Sequence, residues 1–350
     1  MNRKQRRTAA KIGKTQAKPG ASISAIDTVI EKAIAAAQLG AFAEAESALD
    51  AVLERAPSHV EALHQKGMLL ARTHRAEAGI AFLRRVTAAK PGEALYWNNL
   101  AAACLMIDSP QEARAAAAKA VELDPKYAMA WRNLAMAAGD LGQHRDAAEA
   151  LDKASVLSPN EVEIWSRLGM ARLELGDAAR AETAFAKAVA LDPKSAECLS
   201  NLGVLLAQRG RAGEALPHLE SAVEIEPDRF IAALHFGIVS ALAGDHNKGL
   251  RWLRRATSIK PRSDHAWGAL ADAAIAAGEE AEALDAARRA AEFAPNDPVH
   301  RARLQKQQRP DARQRATLVE LDLGGGPVAG ERDKTGDADL SQSLDQIIIR

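Results

Sequence analysis

Three asparagines recur at one interval: Asn99 and Asn133 stand 34 residues apart, and Asn201 follows Asn133 by 68, twice that distance. A carboxamide presents both an N–H donor and a carbonyl acceptor, the complement of what an extended peptide backbone offers. A row of such groups would grip a partner's main chain whatever its side chains. Two of the three lie in "WNNLA" (97–101) and "WRNLA" (131–135), each two residues after a tryptophan. Asn98, Arg132 and Arg167 add polar and cationic groups, Met136 and Met170 add adaptable thioethers, and His235 adds an imidazole.

Catalytic chemistry finds little support. An enzyme needs a nucleophile, a metal or a phosphate cradle in a defined pocket. "RTAAKIGKT" (7–15) resembles the end of a P-loop, but the motif's first glycine falls on Thr8 and no strand pattern precedes it. "GGGP" (324–327) reads as a turn in a polar tail, and the chain has no HExxH, GxSxG or CxxC. His235 and His265 are expected to approach each other, yet no carboxylate accompanies them to complete a metal site. Cys104 and Cys198 are too few for a disulfide framework and are expected to fill small gaps in packing. No cofactor, metal or small-molecule substrate is expected.

The elements that position these residues are set by proline. Eight of the fourteen prolines stand at 57, 91, 125, 159, 193, 227, 261 and 295, each 34 after the last. Counting each unit from the third residue after its proline, apolar or small residues recur at positions 4, 7, 8 and 11, as in Trp97, Leu100, Ala101 and Cys104. That spacing is one stripe of an amphipathic helix. Glycine commonly follows at position 15, where a helix ends in the left-handed region. A second helix carries apolar residues at positions 20, 24, 27 and 30, such as Ala147, Leu151, Ala154 and Leu157, and the next proline stops it. In the third unit "SPQE" reads as Ser109 capping a helix that opens on Pro110, with Glu112 completing a capping box. Gly79 and Gly249 replace the usual alanine at position 20 and are expected to weaken their helices.

This pattern resembles the tetratricopeptide repeat family, most clearly in "IWSRLGMARLELGDAARAETAFAKAVALDP" (164–193). The resemblance implies an all-α, right-handed superhelical solenoid of eight helix–turn–helix repeats over 26–59, 60–93, 94–127, 128–161, 162–195, 196–229, 230–263 and 264–297. A single hairpin cannot bury its apolar face, so neighbours must stack. First helices would line the concave side. Trp97, Trp131, Trp165 and Trp267, at position 4, are expected to be buried against the partner helix. Asn99, Asn133 and Asn201, at position 6, would face the groove. That row is similar to the asparagine ladder in the repeat domain of O-linked N-acetylglucosamine transferases, with solvated polar side chains as the alternative. Met68, Met136 and Met170, at position 9, would contact partner side chains or simply pack between helices. The co-chaperone clamp for a C-terminal carboxylate is matched only by Asn133 and Arg167, so that ligand is not expected.

Net charge is zero overall but unevenly placed. Residues 1–26 hold seven Lys/Arg and no acid, 301–315 six bases and one acid, and 316–350 seven acids and three bases. These bounds predict a disordered basic arm (1–25), a basic capping helix (298–315) and a flexible acidic tail (316–350) with two short apolar motifs, "TLVELDL" and "DQIIIR", of which "DQIIIR" is expected to dock on a partner or in the chain's own groove. The absence of a long apolar run predicts no transmembrane segment, and a secretory leader is not seen, so cytoplasmic location is expected, with a transit peptide as the minor alternative. The sequence therefore predicts a non-enzymatic adaptor that holds a protein or peptide segment in its groove and recruits it to a separate enzyme such as a glycosyltransferase. The alternative is a protein carried to RNA or an anionic membrane surface by its basic arm.

Overall fold

The computed structural model describes residues 19–73 and 75–308; the basic arm up to 18, residues 309–315 of the expected capping helix, and the acidic tail lie outside them. Among the described residues there are seventeen α-helices and no strand. The chain divides into two compact units, one ending at Leu157 and the other starting at Ser158. The first contains α1 (Pro19–Gln38), α2 (Phe42–Arg55), α3 (Val60–Arg72), α4 (Ala76–Ala89), α5 (Ala94–Met106), α6 (Pro110–Leu123), α7 (Ala128–Asp140) and α8 (His144–Leu157). The second contains α9 (Val162–Glu174), α10 (Ala178–Leu191), α11 (Ala196–Gln208), α12 (Ala212–Ile225), α13 (Phe230–Leu242), α14 (His246–Ile259), α15 (Asp264–Ala277), α16 (Glu280–Phe293) and α17 (Pro298–Gln308).

Within each unit every helix packs on the next, and the first helices of neighbouring hairpins also touch: α1 with α3, α3 with α5 and α5 with α7 in one unit, α11 with α13 and α13 with α15 in the other. This consecutive packing of hairpins is that of a helical-repeat solenoid. The turns inside the hairpins follow the glycine pattern. Gly40, Gly142, Gly176, Gly210, Gly244 and Gly278 all have positive φ, between 69° and 90°. In the third hairpin the same place falls to Asp108, with φ 53°, a conformation that aspartate tolerates better than most side chains.

The tryptophans differ from the simple buried knob that position 4 suggests. Trp97, Trp131, Trp165 and Trp267 are half-buried. Each indole Nε1 donates to the carbonyl of the proline six residues earlier, at 2.9 Å for Pro91 and Pro125 and 2.8 Å for Pro159 and Pro261. The ring packs while its polar edge stays at the turn, which is the amphipathic behaviour expected of indole. Each of these four prolines thus stops one helix, and its carbonyl anchors the next.

Alanine makes most of the core. Ala113, Ala116, Ala117 and Ala120 line the buried side of α6, and Ala283, Ala286, Ala287 and Ala290 that of α16. Small side chains let the helix axes approach closely, and two hairpins go further. A Cβ on Gly79 would stand 2.5 Å from the Gly67 carbonyl oxygen, and one on Gly249 would stand 3.0 Å from that of Gly237. These glycines are points of close helix contact, so the expectation that they weaken their helices is corrected by packing that propensity does not register.

Two further expectations change. Ser109 makes no side-chain capping bond, and the Glu112 carboxylate instead accepts two bonds from the Arg84 guanidinium, at 2.8 and 2.7 Å. A bidentate charged pair outcompetes a single bond to a neutral amide. At the start of the chain, α1 begins at Pro19, before the expected boundary at 26. Proline suits the first helical position, and the alanines and isoleucines that follow do not oppose a helix.

Candidate functional site

Helical spacing puts positions 2, 6, 9 and 13 of each first helix on the side away from its partner. In the first unit this side is open, with apolar side chains set among polar ones. Leu95 is 48% exposed, Met106 59% and Met129 49%. Met68 and Met136 are half-buried on the same faces of α3 and α7, beside half-buried Gln65 and Asn99. Glu61, Arg72 and Asp140 supply charge at the ends of these rows. Sequence reasoning singled out Met136 but passed over Leu95, Met106 and Met129. The signal was present, since these occupy positions 2 and 13 of the face already identified.

The carboxamides in this unit are largely spent on one another. Asn133 is 3% exposed and Asn98 2%. Asn133 Nδ2 donates to Asn98 Oδ1 at 2.9 Å, and Asn98 Nδ2 donates to the Tyr127 hydroxyl at 3.2 Å. Asn99 Nδ2 donates to His64 Nε2 at 2.7 Å. An amide nitrogen can only donate, so His64 accepts at Nε2 and keeps its proton on Nδ1, which faces Glu61 Oε1 at 3.9 Å. The His64 contact holds the Glu61 carboxyl below its ordinary value of 4.5. The expectation that Asn98 and Asn133 stand ready for a ligand is corrected: burial demands internal partners, and the neighbouring repeats supply them. Asn99 remains half-buried and Arg132 is likewise half-buried.

In the second unit the equivalent face is largely closed, although Leu242 at the end of α13 is 44% exposed. Arg167 is half-buried and paired with Glu163 at 2.9 Å along α9. Met170, Asn201 and His235 are 7%, 2% and 2% exposed, so none of the three is displayed as the sequence suggested. Every residue of α13 from Phe230 to Ala241 is buried, isoleucines at positions 2 and 9 included. Asn201 Nδ2 and His235 Nε2 are buried without a hydrogen-bond partner among the described residues. Burial, with a smaller contribution from nearby His265, pushes the His235 imidazole down to about 3 from an ordinary 6.5. Its charge is therefore suppressed at neutral pH. Cys104 and Cys198 are free and buried, and burial raises the Cys104 thiol to about 12, which leaves it unreactive.

One cluster has the composition of a metal site: Asp264, Asp297 and His300. Its hydrogen bonds argue for a different role. Arg303 Nη1 lies 2.7 Å from His300 Nδ1 and can only donate, so the imidazole proton sits on Nε2 and is directed at Asp264 Oδ2, 3.2 Å away. A cation on Nε2 would need that proton moved to Nδ1, against the guanidinium. Arg303 is also bidentate to buried Asp272, with bonds of 2.8 and 2.7 Å. The cluster locks α17 onto α15.

The chain matches a family model described as tetratricopeptide repeat over residues 30–94, 64–128, 107–162, 132–196, 166–230 and 243–298. Among solved structures it is similar to a chain of the APC/C hetero-tetramer Cut9–Hcn1, with a TM-score of 0.57 and 17% identity, covering 77% of this chain and 53% of that one. It therefore spans about half the length of that relative. It is also similar to PilF of Pseudomonas aeruginosa (TM-score 0.53, 18% identity, 61% of this chain and 96% of that one). A third likeness is to PilW, a type IV pilus biogenesis factor (TM-score 0.52, 21% identity, 60% and 97%). At these identities the likeness concerns the fold alone. No curated protein sequence matches the chain significantly.

Proposed function

Since the chain belongs to the tetratricopeptide repeat family, we propose that it is a non-enzymatic protein-interaction scaffold that docks a partner segment on the first-helix face of its first unit. The observation that carries this reading is the exposure of three large apolar side chains on neighbouring first helices: Leu95 and Met106 at the two ends of α5, and Met129 at the start of α7, each about half exposed. Large apolar side chains left exposed beside charged and amide groups are costly in water and suit the apolar residues of a helix or an extended peptide. Methionine adapts its shape to different side chains, so this face favours a family of related segments over one rigid ligand. Half-buried Gln65 and Asn99 are the polar groups left beside it to meet main-chain atoms. Delivery of the bound segment to an enzyme on another chain, such as a glycosyltransferase, belongs to the same reading and rests on the sequence resemblance only. Among the described residues no helix is long and apolar enough to cross a membrane.

The test compares proteins captured by the wild-type chain with those captured by Met106→Glu/Met129→Glu, at 50 and 300 mM salt. Both residues are exposed, so helicity should persist. Partners that depend on this face should be recovered at least tenfold less with the variant and be nearly indifferent to salt. Equal recovery by both chains would remove the proposal. A catch that collapses in salt with either chain would return the reading to the basic arm, because phosphate-driven binding is steeply salt-dependent.

A further inference from the structure

α14 bears a separate surface. It is a second helix of its hairpin, so its outer side lies apart from the first-helix face of the same unit. From His246 to Ser263 the chain has six Lys/Arg and no acid. Arg251, Arg254, Arg255 and Ser258 are exposed and Trp252 is half-buried; with Pro227 they line one concavity. The indole is held from below by Phe236, with ring centroids 5.8 Å apart, and the Arg251 guanidinium lies 5.8 Å from the indole centroid. Arg254 is engaged by Glu282, Arg255 by Asp228 and Lys248 by Glu220. Arg251 and Arg262 have no ion-pair partner among the described residues, and neither does the buried Trp252 Nε1 have an acceptor. The concavity thus joins an apolar indole–proline wall to cationic charge that the surrounding helices only partly answer.

We propose that this concavity docks the chain's own segment "LVELDL" (318–323). Three features commit the site to this occupant. Charge is complementary, since residues 316–350 hold seven acids against three bases. Spacing is complementary too. In an extended segment Leu318, Glu320 and Asp322 project to one side, the two carboxylates roughly 7 Å apart. Arg251 and Arg255 are separated by four residues, about 6 Å along a helix. Leu318 then rests on Trp252 and Pro227 while one carboxylate meets Arg251 and the other shares Arg255 with Asp228. Reach is adequate as well. α17 packs on α16, and Arg254 of α14 reaches Glu282 of α16 through a charged bond, so α14 and α17 lie within roughly two helix spacings of about 8–10 Å each. The eight residues between Gln308 and Thr317 span up to about 28 Å when extended.

Hydrogen exchange on the full chain tests this. Docking at the millimolar effective concentration of a tethered segment should slow amide exchange over 317–323 by about fivefold or more relative to the free peptide. Glu320→Lys/Asp322→Lys should bring exchange to the free-peptide rate, and adding Arg251→Glu/Arg255→Glu to that chain should restore the slowing. Free-peptide exchange in the wild type, or no restoration in the charge-swapped chain, would overturn the proposal. So would protection that grows with protein concentration, because the contact would then lie between copies. An independent trap pairs Ser258→Cys with Leu318→Cys, which should form an intramolecular disulfide under mild oxidation well ahead of Ser258→Cys with Thr335→Cys. Equal rates for the two pairs would also count against docking.

Discussion

At the scale of single residues, the indole and the carboxamide exchange the roles their chemistry first suggests. Tryptophan supplies the hydrogen bond that the turn needs, and asparagine is drawn into the interior. Trp97→Phe keeps most of the ring contact but deletes the Nε1 bond to the Pro91 carbonyl. A loss of about 0.5–1.5 kcal/mol is expected in urea unfolding, whereas Trp97→Ala should cost about 3–5 kcal/mol because the ring contact goes as well. Similar losses from both substitutions would show that the clasp contributes nothing beyond its polar bond. Position along the repeat was legible for all of these side chains. Their partners were not, because the Asn133 bond to Asn98 joins residues 35 apart, and no local pattern announces whether a polar group on a helix face meets water or a neighbour.

At the scale of elements, the helices and their order were legible because two signals repeat eight times: the proline that ends each hairpin and the apolar spacing that follows it. Ends were less legible, as α1 shows by starting at Pro19 and Glu112 by leaving its cap for Arg84. Such choices depend on what lies beside the helix. Gly79 makes the point quantitatively. On propensity alone, Gly79→Ala should stabilise α4 by up to about 1 kcal/mol. The added Cβ would meet the Gly67 carbonyl oxygen at 2.5 Å, backbone that has nowhere to go. Overpacking of this kind costs about 1–3 kcal/mol, so net destabilisation is expected. Gly213→Ala in α12, with nothing within 4 Å, should be neutral or slightly stabilising in the same thermal melts. Stabilisation at both sites would mean that the hairpin of α3 and α4 can open at little cost.

At the scale of the whole molecule, the family, the fold class and the scaffold role were legible, while the difference between the two units was not. Methionines at positions 2 and 13 leave the first unit's face open, and bulky aliphatics in α13 accompany a largely closed face in the second, with Leu242 left exposed. That closure has a pH signature. His235 is held down to about 3 in the folded chain against 6.5 when unfolded, so between those values the unfolded state binds the extra proton. The contribution is fully present above pH 6.5 and is lost as pH falls toward 3, with a slope of up to about 1.4 kcal/mol per pH unit. Asp264, held below 3.8 first by its hydrogen bond from His300, acts in the same direction once pH falls below about 3.8. Urea midpoints measured from pH 7 to 4 should therefore fall for the wild type and fall less for His235→Gln. Parallel curves would show that acid attacks the molecule elsewhere.

The bond from each indole to the proline six residues before it opens and closes within seven consecutive residues. Nothing outside that stretch is required to make it. When a gene segment of one repeat length is duplicated or lost, the fastening is therefore copied or removed intact and no distant partner has to mutate alongside. Growth of the array by whole modules is thus an easy evolutionary step, and an insertion of one or two residues between proline and indole is a damaging one.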